Sequence, residues 1–307
     1  MTKIPRWKSR DWALQSMVLP GILLLIIFSY IPMVGLILSF KDANAVLNVT
    51  EVIFHGEWVG FQNFAIFLQD KNFLNVIVNT LCLNGLQLIV NFPAPIIFSL
   101  FLNEIRQPKI KRGIQTILYL PYFLSWVIFG GIILSLIRFD GGVFNELLIG
   151  LGVIDSSVNW IAKPQYFWAI IVLSSFLKNV GWGMVIYLAA IAGIDGNLYE
   201  AAELDGANRW QKMRYITLPC MAQTITLFLI LNISNLLDNG TEQILVFQNT
   251  LNLSTSEVID TYILKYGINR SMYSLATAIG FFKSIVSVIL LVGSNFLSKK
   301  LTGRGIF

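Results

Sequence analysis

The sequence contains little charge, and this scarcity excludes most classes of soluble protein. Only 13% of its 307 residues are Asp, Glu, Lys or Arg, whereas soluble globular domains carry about 25%. Hydrophobic residues make up 55% of the chain, and the mean hydropathy is +0.68. Because so few charged groups cannot cover the surface of a chain of this length, we expect lipid to solvate most of the protein.

Residues that carry metal or catalytic chemistry are also scarce. The chain has one histidine, His55, and two cysteines, Cys82 and Cys220, whose separation does not fit a metal site. The P-loop motif Gly-x-x-x-x-Gly-Lys-Ser/Thr does not occur, nor do His-Glu-x-x-His and Gly-x-Ser-x-Gly. We therefore expect no catalytic residues, no metal site and no cofactor bound by this chain.

Long apolar runs are abundant and predict six membrane-spanning helices. Each run is long enough to cross about 30 Å of hydrocarbon at about 1.5 Å per residue. Helices are expected because an open sheet leaves backbone groups unpaired in lipid, and the strict alternation of a membrane barrel is missing. The fold class is thus an all-α polytopic membrane protein. The predicted spans are 13–40, 74–102, 114–137, 165–190, 217–237 and 272–297.

The basic residues predict the orientation of these spans. The net charge of +5 does not indicate a nucleic-acid partner, because the basic residues fall in short clusters between apolar runs. With the N-terminus inside, 14 of the 22 lie on the inner side and six on the outer side, which favours cytoplasmic termini. The inner set is Lys3, Arg6, Lys8, Arg10, Arg106, Lys109, Lys111, Arg112, Arg209, Lys212, Arg214, Lys299, Lys300 and Arg304.

The predicted organisation follows from these spans. Residues 1–12 form a cytoplasmic segment, 13–298 the transmembrane domain with a cytoplasmic loop at 190–219, and 299–307 a cytoplasmic tail. Two outer loops are predicted to contain short helices. One is indicated by the helical spacing of Phe61, Phe64, Phe67 and Leu68, the other by the apolar run 144–153.

Residues 200–219 form a polar island between two apolar segments. Glu200, Ala201 and Ala202 favour a helix, which Asn197 is predicted to cap together with Glu200. Gly206 ends or thins that helix, a second short helical piece carries Arg209, and Pro219 introduces the fifth span. A cytoplasmic loop of this length, rich in alanine and alternating charge, indicates an ordered and functional segment.

The island resembles the EAA motif of permease subunits of ABC importers. The pattern is Glu200-Ala201-Ala202, three residues, Gly206, nine residues, and then Ile216-x-Leu218-Pro219. Less specific runs extend the resemblance over nearly the full length and are similar to the polysaccharide-type branch of the maltose-permease-like carbohydrate family. These runs are Asp11-Trp12, Tyr30-Ile31-Pro32, Phe92-Pro93-Ala94-Pro95, Tyr119-Leu120-Pro121, Gly181-Trp182-Gly183 and Ile186-Tyr187-Leu188-Ala189-Ala190.

The resemblance implies a fold, a transport function and a set of partners. The fold is that of a type I ABC importer permease, paired as a heterodimer with a second homologous permease subunit. A cytoplasmic ATPase dimer, which binds ATP and Mg, lies beneath the pair, and an extracellular solute-binding lipoprotein delivers the solute. The implied location is the plasma membrane of a bacterium, with a Gram-positive host expected, and the implied solutes are carbohydrates, in particular oligosaccharides or glycan fragments.

The resemblance also implies which island residues couple to the ATPase. Glu200 makes a polar contact with it, Ala201 and Ala202 permit close packing, and Gly206 provides the turn. Asp205 and Arg209 belong to the same expected surface. The alternative is that the island is only an amphipathic helix at the membrane surface.

Polar residues inside the spans are candidates for the solute pathway, because such residues are costly in lipid and sugars require amides and aromatic faces. The alternative for the amides is that they join helices, and for Lys283 that it pairs with an acid of a partner subunit. The candidates are Lys178, Asn179, Trp182, Asn235, Asp238, Lys283, Asn84 and Gln87.

Two other functions are compatible with a membrane protein of this size. A self-sufficient, ion-coupled secondary transporter requires ion-binding acids within spans, whereas the acids here lie almost entirely in loops. An intramembrane enzyme requires catalytic residues, which we do not find in the sequence.

Overall fold

The computed structural model describes residues 9–43, 49–303 and 305, and these residues are almost entirely helical. Lys41 and Trp58 form an isolated antiparallel bridge. The predicted all-α class is therefore confirmed.

Five helices are long and apolar enough to cross a membrane, and a bent pair of helices supplies a sixth crossing if it is counted as one span. We number these in chain order as the first to sixth spans. They are Gln15–Phe40, Phe73–Asn103, the bent pair Pro108–Phe123 and Trp126–Leu136, Pro164–Ala192, Arg209–Ser234, and Tyr273–Lys300.

The third span departs from the prediction of one helix over 114–137. Its two halves meet at 105°, because Leu120–Phe123 tightens into a 3₁₀ turn around Pro121 and the chain then becomes extended. Ser125 starts the second half, since its Oγ accepts a hydrogen bond from the Ile128 amide at 3.3 Å. The bend leaves backbone carbonyls without helical partners.

The fifth span also differs from its prediction, since it begins at Arg209 and not near 217. The second helical piece of the island is therefore the first turn of this span. Residues Met213–Thr217 form a π turn just before Pro219, with the Leu218 amide bonded to the Met213 carbonyl. The wider turn accommodates a proline that has no N–H to donate, and the same arrangement, Ile26–Tyr30, precedes Pro32 in the first span.

Short helices occupy the loops, and both predicted loop helices are confirmed. The island helix is Gly196–Leu204. Phe67, expected on a surface helix, is only 2% exposed and contacts the Phe282 ring. The other short helices are Val49–His55, Gln62–Gln69, Val143–Gly150, Thr241–Phe247, Leu253–Ser256 and Ile259–Gly267.

The described residues fall into two compact units. One contains the residues up to Asp70 with Ile263–Phe282, and a small core of Leu38, Ala43 and Val52. The other contains Lys71–Tyr262 and the residues from Lys283 onward.

The fourth span is the centre of the larger unit, where it packs against the second, third and fifth spans. Two apolar cores surround it, one around Phe167 and Ile171 and the other around Tyr187. Gly181 and Gly183 allow the third and second spans to approach the fourth span closely. A Cβ at Gly181 would overlap the backbone of Leu118, and one at Gly183 would lie 2.8 Å from the Pro95 ring.

We expect Gly181→Ala to destabilise the protein by about 3 kcal/mol, at the upper end of ordinary overpacking, because backbone atoms cannot rotate away as side-chain atoms do. Thermal unfolding of the purified protein in detergent measures the effect. The matched control is Gly85→Ala, in the second span, where an added Cβ meets open space. Equal melting temperatures for the two variants would contradict the packing argument.

Candidate functional site

A cavity of about 410 Å³ lies within the larger unit, between the second, third, fourth and fifth spans. Its walls consist of amides, aromatic rings and a few aliphatic groups, with one carboxylate. The lining residues are Asn84, Gln87, Leu88, Asn91, Phe92, Pro95, Tyr122, Ser175, Asn179, Trp182, Gly183, Ile186, Tyr187, Phe228, Asn232, Asn235, Leu236 and Asp238.

Six of the eight predicted pathway residues meet at this cavity. They are Asn84, Gln87, Asn179, Trp182, Asn235 and Asp238. The cavity is also lined by polar and aromatic residues that were not among the eight predicted ones, including Asn91, Ser175, Tyr187 and Asn232. The missed signal is spacing, because residues three or four apart share one face of a helix. Asn91 follows Gln87 by four residues, and Ser175 precedes Asn179 by four.

An aromatic wall closes one side of the cavity. The rings of Tyr122 and Trp182 are stacked, with centroids 4.6 Å apart and planes within 5°. Phe123 meets the Trp182 ring edge-on at 6.2 Å. The third span thus contributes to the cavity through the residues at its bend.

Several amide atoms of residues that line the cavity have no hydrogen-bond partner among the described residues. They are Nε2 of Gln87 and both polar side-chain atoms of Asn91, all of them buried. The other amide atom of Gln87, Oε1, accepts a long bond of 3.5 Å from Ser175 Oγ. Because a buried amide without a partner costs about 1–3 kcal/mol, a side-chain rotation that brings these atoms to the cavity surface and to a polar partner there would be favourable.

Lys178 does not line the cavity. It is 5% exposed, and its ammonium donates to the carbonyls of Pro121 at 3.2 Å, Tyr122 at 2.8 Å and Leu124. All three carbonyls lie at the bend of the third span, and that of Pro121 also accepts from the Leu124 amide at 3.3 Å. Lys178 therefore stabilises the bend and holds Tyr122 where it stacks on Trp182, while its contact with a solute stays a prediction.

Lys283 does not line the cavity either, but it supports one wall. It forms an ion pair with Asp260 of the same chain and lies 3.7 Å from Asp238. Asp260 also accepts from the Asn239 amide at 2.9 Å, and Asn239 donates to Asn84 Oδ1 at 2.9 Å. An acid from a partner subunit is thus not required to neutralise Lys283, and the network fixes the loop that presents Asn235 and Asp238.

We expect Lys178→Met to lower the melting temperature and weaken the aromatic stack, because the carbonyls at the bend lose their donor. An unpaired buried carbonyl costs about 1–3 kcal/mol. Thermal unfolding in detergent measures the first effect, and the difference in tryptophan fluorescence between otherwise identical proteins with Trp182 and with Trp182→Phe isolates the second from the other seven tryptophans. Lys163→Met removes an exposed lysine at the start of the same span and serves as the control. An unchanged melting temperature for Lys178→Met would contradict this role.

The polar island folds as two arms joined by a tight turn. Asp195 caps the first helix, since its carboxylate accepts from the Asn197 amide at 3.0 Å, so the prediction that Asn197 is the cap is wrong. Gly206 ends the helix with φ of +78°. The Gly206 amide bonds to the Glu203 carbonyl and the Ala207 amide to the Ala202 carbonyl, which together form a Schellman cap.

The second arm is held by its own contacts. Asn208 and Gln211 form a reciprocal capping box at 2.7 and 2.9 Å. Lys212 pairs with Glu203 of the first arm at 2.5 Å, and this hydrogen bond lowers the pKa of the exposed Glu203 carboxyl below its usual 4.5. Because the pKa is lowered on folding, the tie is complete above pH 4.5 and is lost as the pH falls further. Near neutral pH this tie between the two arms is therefore complete.

The outer surface of the island combines charge with exposed apolar groups. Glu200, Ala201, Asp205, Gly206 and Arg209 are exposed, and Ala202 is half-buried. Sequence reasoning missed the apolar part, which consists of Leu204, Trp210 and Tyr215 at 90%, 61% and 69% exposure. A patch of this kind on a tight turn is typical of an interaction surface.

Comparison with known proteins decides the family. Residues 74–303 match the family described as binding-protein-dependent transport system inner membrane component. The chain belongs to this family. Protein LplB of Bacillus subtilis is 40% identical over 97% of the chain and 92% of LplB. The polygalacturonan/rhamnogalacturonan transport system permease protein YteP of the same organism is 37% identical over 96% of the chain and 90% of YteP.

Solved structures agree with this membership. A chain from a bacterial ABC transporter involved in the import of the acidic polysaccharide alginate superposes with a TM-score of 0.85 at 36% identity. The match covers 95% of this permease and 97% of that chain. A second structure shows the bacterial alginate transporter in complex with its pentasaccharide-bound periplasmic protein, with a TM-score of 0.85 at 35% identity. The permease fold predicted for this chain is therefore confirmed.

Proposed function

We propose that this permease forms one half of the translocation pathway of an ATP-driven ABC importer for oligosaccharides or glycan fragments. The observation that carries the proposal is the cavity, which combines amides with a stacked aromatic wall. Sugars present hydroxyls that bond to amides and C–H faces that pack on rings. The carbohydrate importers among the relatives support the same class of solute.

The unpartnered amides of Gln87 and Asn91 are the first candidates for bonding sugar hydroxyls. Asn179, Asn232 and Asn235 approach the cavity from two other spans. Because these groups carry no charge, they bind a solute without the large desolvation penalty of an ion. Such moderate binding suits transport, which requires the solute to leave again.

The island supplies the coupling surface in this proposal. Glu200 and Arg209 offer charge, Ala201 and Ala202 offer a close approach, and Leu204 offers an exposed apolar group for a cleft in the ATPase. The second arm continues directly into the fifth span, which reaches the cavity at Asn232. At 1.5 Å per residue this helix places the two sites about 35 Å apart along one rod.

The remaining parts of the importer are proposed from the resemblance of the island to the EAA motif and from the distribution of basic residues between the two sides of the membrane. Both chain ends and the island face the cytoplasm of a bacterial plasma membrane, with a Gram-positive host proposed. A second permease subunit completes a heterodimer, a cytoplasmic ATPase dimer binds ATP and Mg, and a solute-binding lipoprotein delivers the sugar. In this arrangement ATP hydrolysis belongs to the partner.

We expect Glu200→Lys to release the ATPase, because the charge reversal places a cation on the docking surface. Co-purification with the ATPase and ATP-driven uptake of labelled oligosaccharides in proteoliposomes measure the loss, which we expect to be at least about tenfold. The matched control is Glu51→Lys, the same change at an exposed residue of the proposed outer loop. Full uptake by this permease alone, without ATP, would favour the ion-coupled transporter instead.

We expect Asn91→Leu to lower oligosaccharide uptake by about tenfold while the importer still assembles and hydrolyses ATP. The substitution removes both unpartnered amide atoms from the cavity wall, and a lost hydrogen bond to a neutral group is worth about 0.5–1.5 kcal/mol each. Gln165→Leu, an exposed amide outside the cavity on the fourth span, is the control. Loss of ATPase binding in Asn91→Leu would instead indicate a structural role.

A further inference from the structure

We infer that the cavity of this permease selects uncharged oligosaccharides and rejects those that carry uronate carboxylates, an inference that rests on the proposed function. Recognition of a carboxylate generally uses Arg or Lys, which pair with it through charge-assisted hydrogen bonds. None of the described residues that line the cavity is Arg, Lys or His.

The two lysines near the cavity are already engaged. Lys178 donates to three backbone carbonyls, is 5% exposed, and lies within the electrostatic influence of Glu242. Lys283 is held by Asp260, and its side chain is 17% exposed. Neither ammonium can reach a uronate in the cavity without giving up these partners.

The one charged group of the lining has the wrong sign for a uronate. Asp238 borders the cavity, and its side chain is 62% exposed. Asp238 and Asp260 both lie beside Lys283, so these three side chains together carry one excess negative charge. Repulsion between Asp238 and a carboxylate grows as water is displaced from the cavity, because the interaction scales inversely with the dielectric constant.

The inferred solute class differs from that of the solved relative, which belongs to a transporter involved in the import of the acidic polysaccharide alginate. The shared fold permits the difference, because solute selection depends on the side chains that line the cavity. The predicted solutes are neutral hexose or pentose oligomers, which the amides and the Tyr122–Trp182 wall can bind without a counter-ion.

The test uses glycan pairs that differ only in charge. Tetragalacturonate and an oligomannuronate tetramer are each compared with the neutral tetramer made by reducing their carboxyl groups. Binding to the complete purified importer is measured by saturation-transfer NMR, without the solute-binding protein, so that only the membrane cavity selects. We expect each neutral tetramer to bind at least about tenfold more tightly than its uronate partner.

Variants at Asp238 test whether this residue sets the selection. Asp238→Asn is expected to reduce the preference for neutral over uronate tetramers about tenfold. It leaves the Lys283–Asp260 pair in place. Asp238→Lys is expected to shift the binding ratio further toward the uronates. Asp155→Lys makes the same charge change at an exposed position outside the cavity and is expected to leave the ratio unchanged.

The outcomes distinguish this inference from the proposed function. Uronates that bind as tightly as their neutral partners would overturn the inference, as would an equal shift of the ratio in Asp155→Lys and Asp238→Lys. A parallel uptake assay with ATP and the solute-binding protein reports on the function. If the importer neither binds nor takes up any glycan, neutral or charged, the proposed function itself is wrong.

Discussion

The need to satisfy backbone polar groups inside lipid governs the larger unit of this permease. No water is available there to replace a lost helical bond, so any bend in a span requires another donor. The third span bends by 105° at its midpoint, and the ammonium of Lys178 from the fourth span supplies the missing bonds. The bend in turn carries Tyr122, whose ring forms part of the cavity wall.

Charged side chains within the spans likewise require partners inside the protein. Lys178 has backbone carbonyls as partners and Lys283 has Asp260, so both of these cations are compensated inside the chain. Removing one member of such a pair would leave an uncompensated ion, which is more costly than the pair is stabilising. The cavity is therefore bordered by charges that are fixed in place, while the amides remain available to a solute.

Hydropathy predicted most of the architecture because a span is defined by composition over about 20 residues. The bend in the third span was missed because the apolar run continues across it from Ile117 to Leu136, and only Pro121 signals it. The N-terminal cap of the island helix was misplaced by two residues, since Asp195 and Asn197 are both good caps. Burial of charge singled out Lys178 and Lys283, but their partners are distant in sequence and no pattern connects them. The amides at Asn84, Gln87, Asn179 and Asn235 were found because polar residues stand out within apolar spans, whereas Asn91 and Ser175 were missed because their three-to-four spacing was not used.

Under the proposed function, the fifth span connects the coupling surface of the island to the cavity. It begins in the island at Arg209, passes through a π turn at Met213–Thr217 and ends at the cavity beside Asn235. At the island end the capping box and the Glu203–Lys212 pair tie the two arms to the start of this helix. In the π turn a backbone hydrogen bond spans five residues instead of four, and its geometry is weaker. It is therefore the place where the helix axis of the fifth span is expected to bend. A small rotation at the island would then displace Asn232 and Asn235 against amides held by the second and fourth spans, and the hydrogen bonds offered to a sugar would change together.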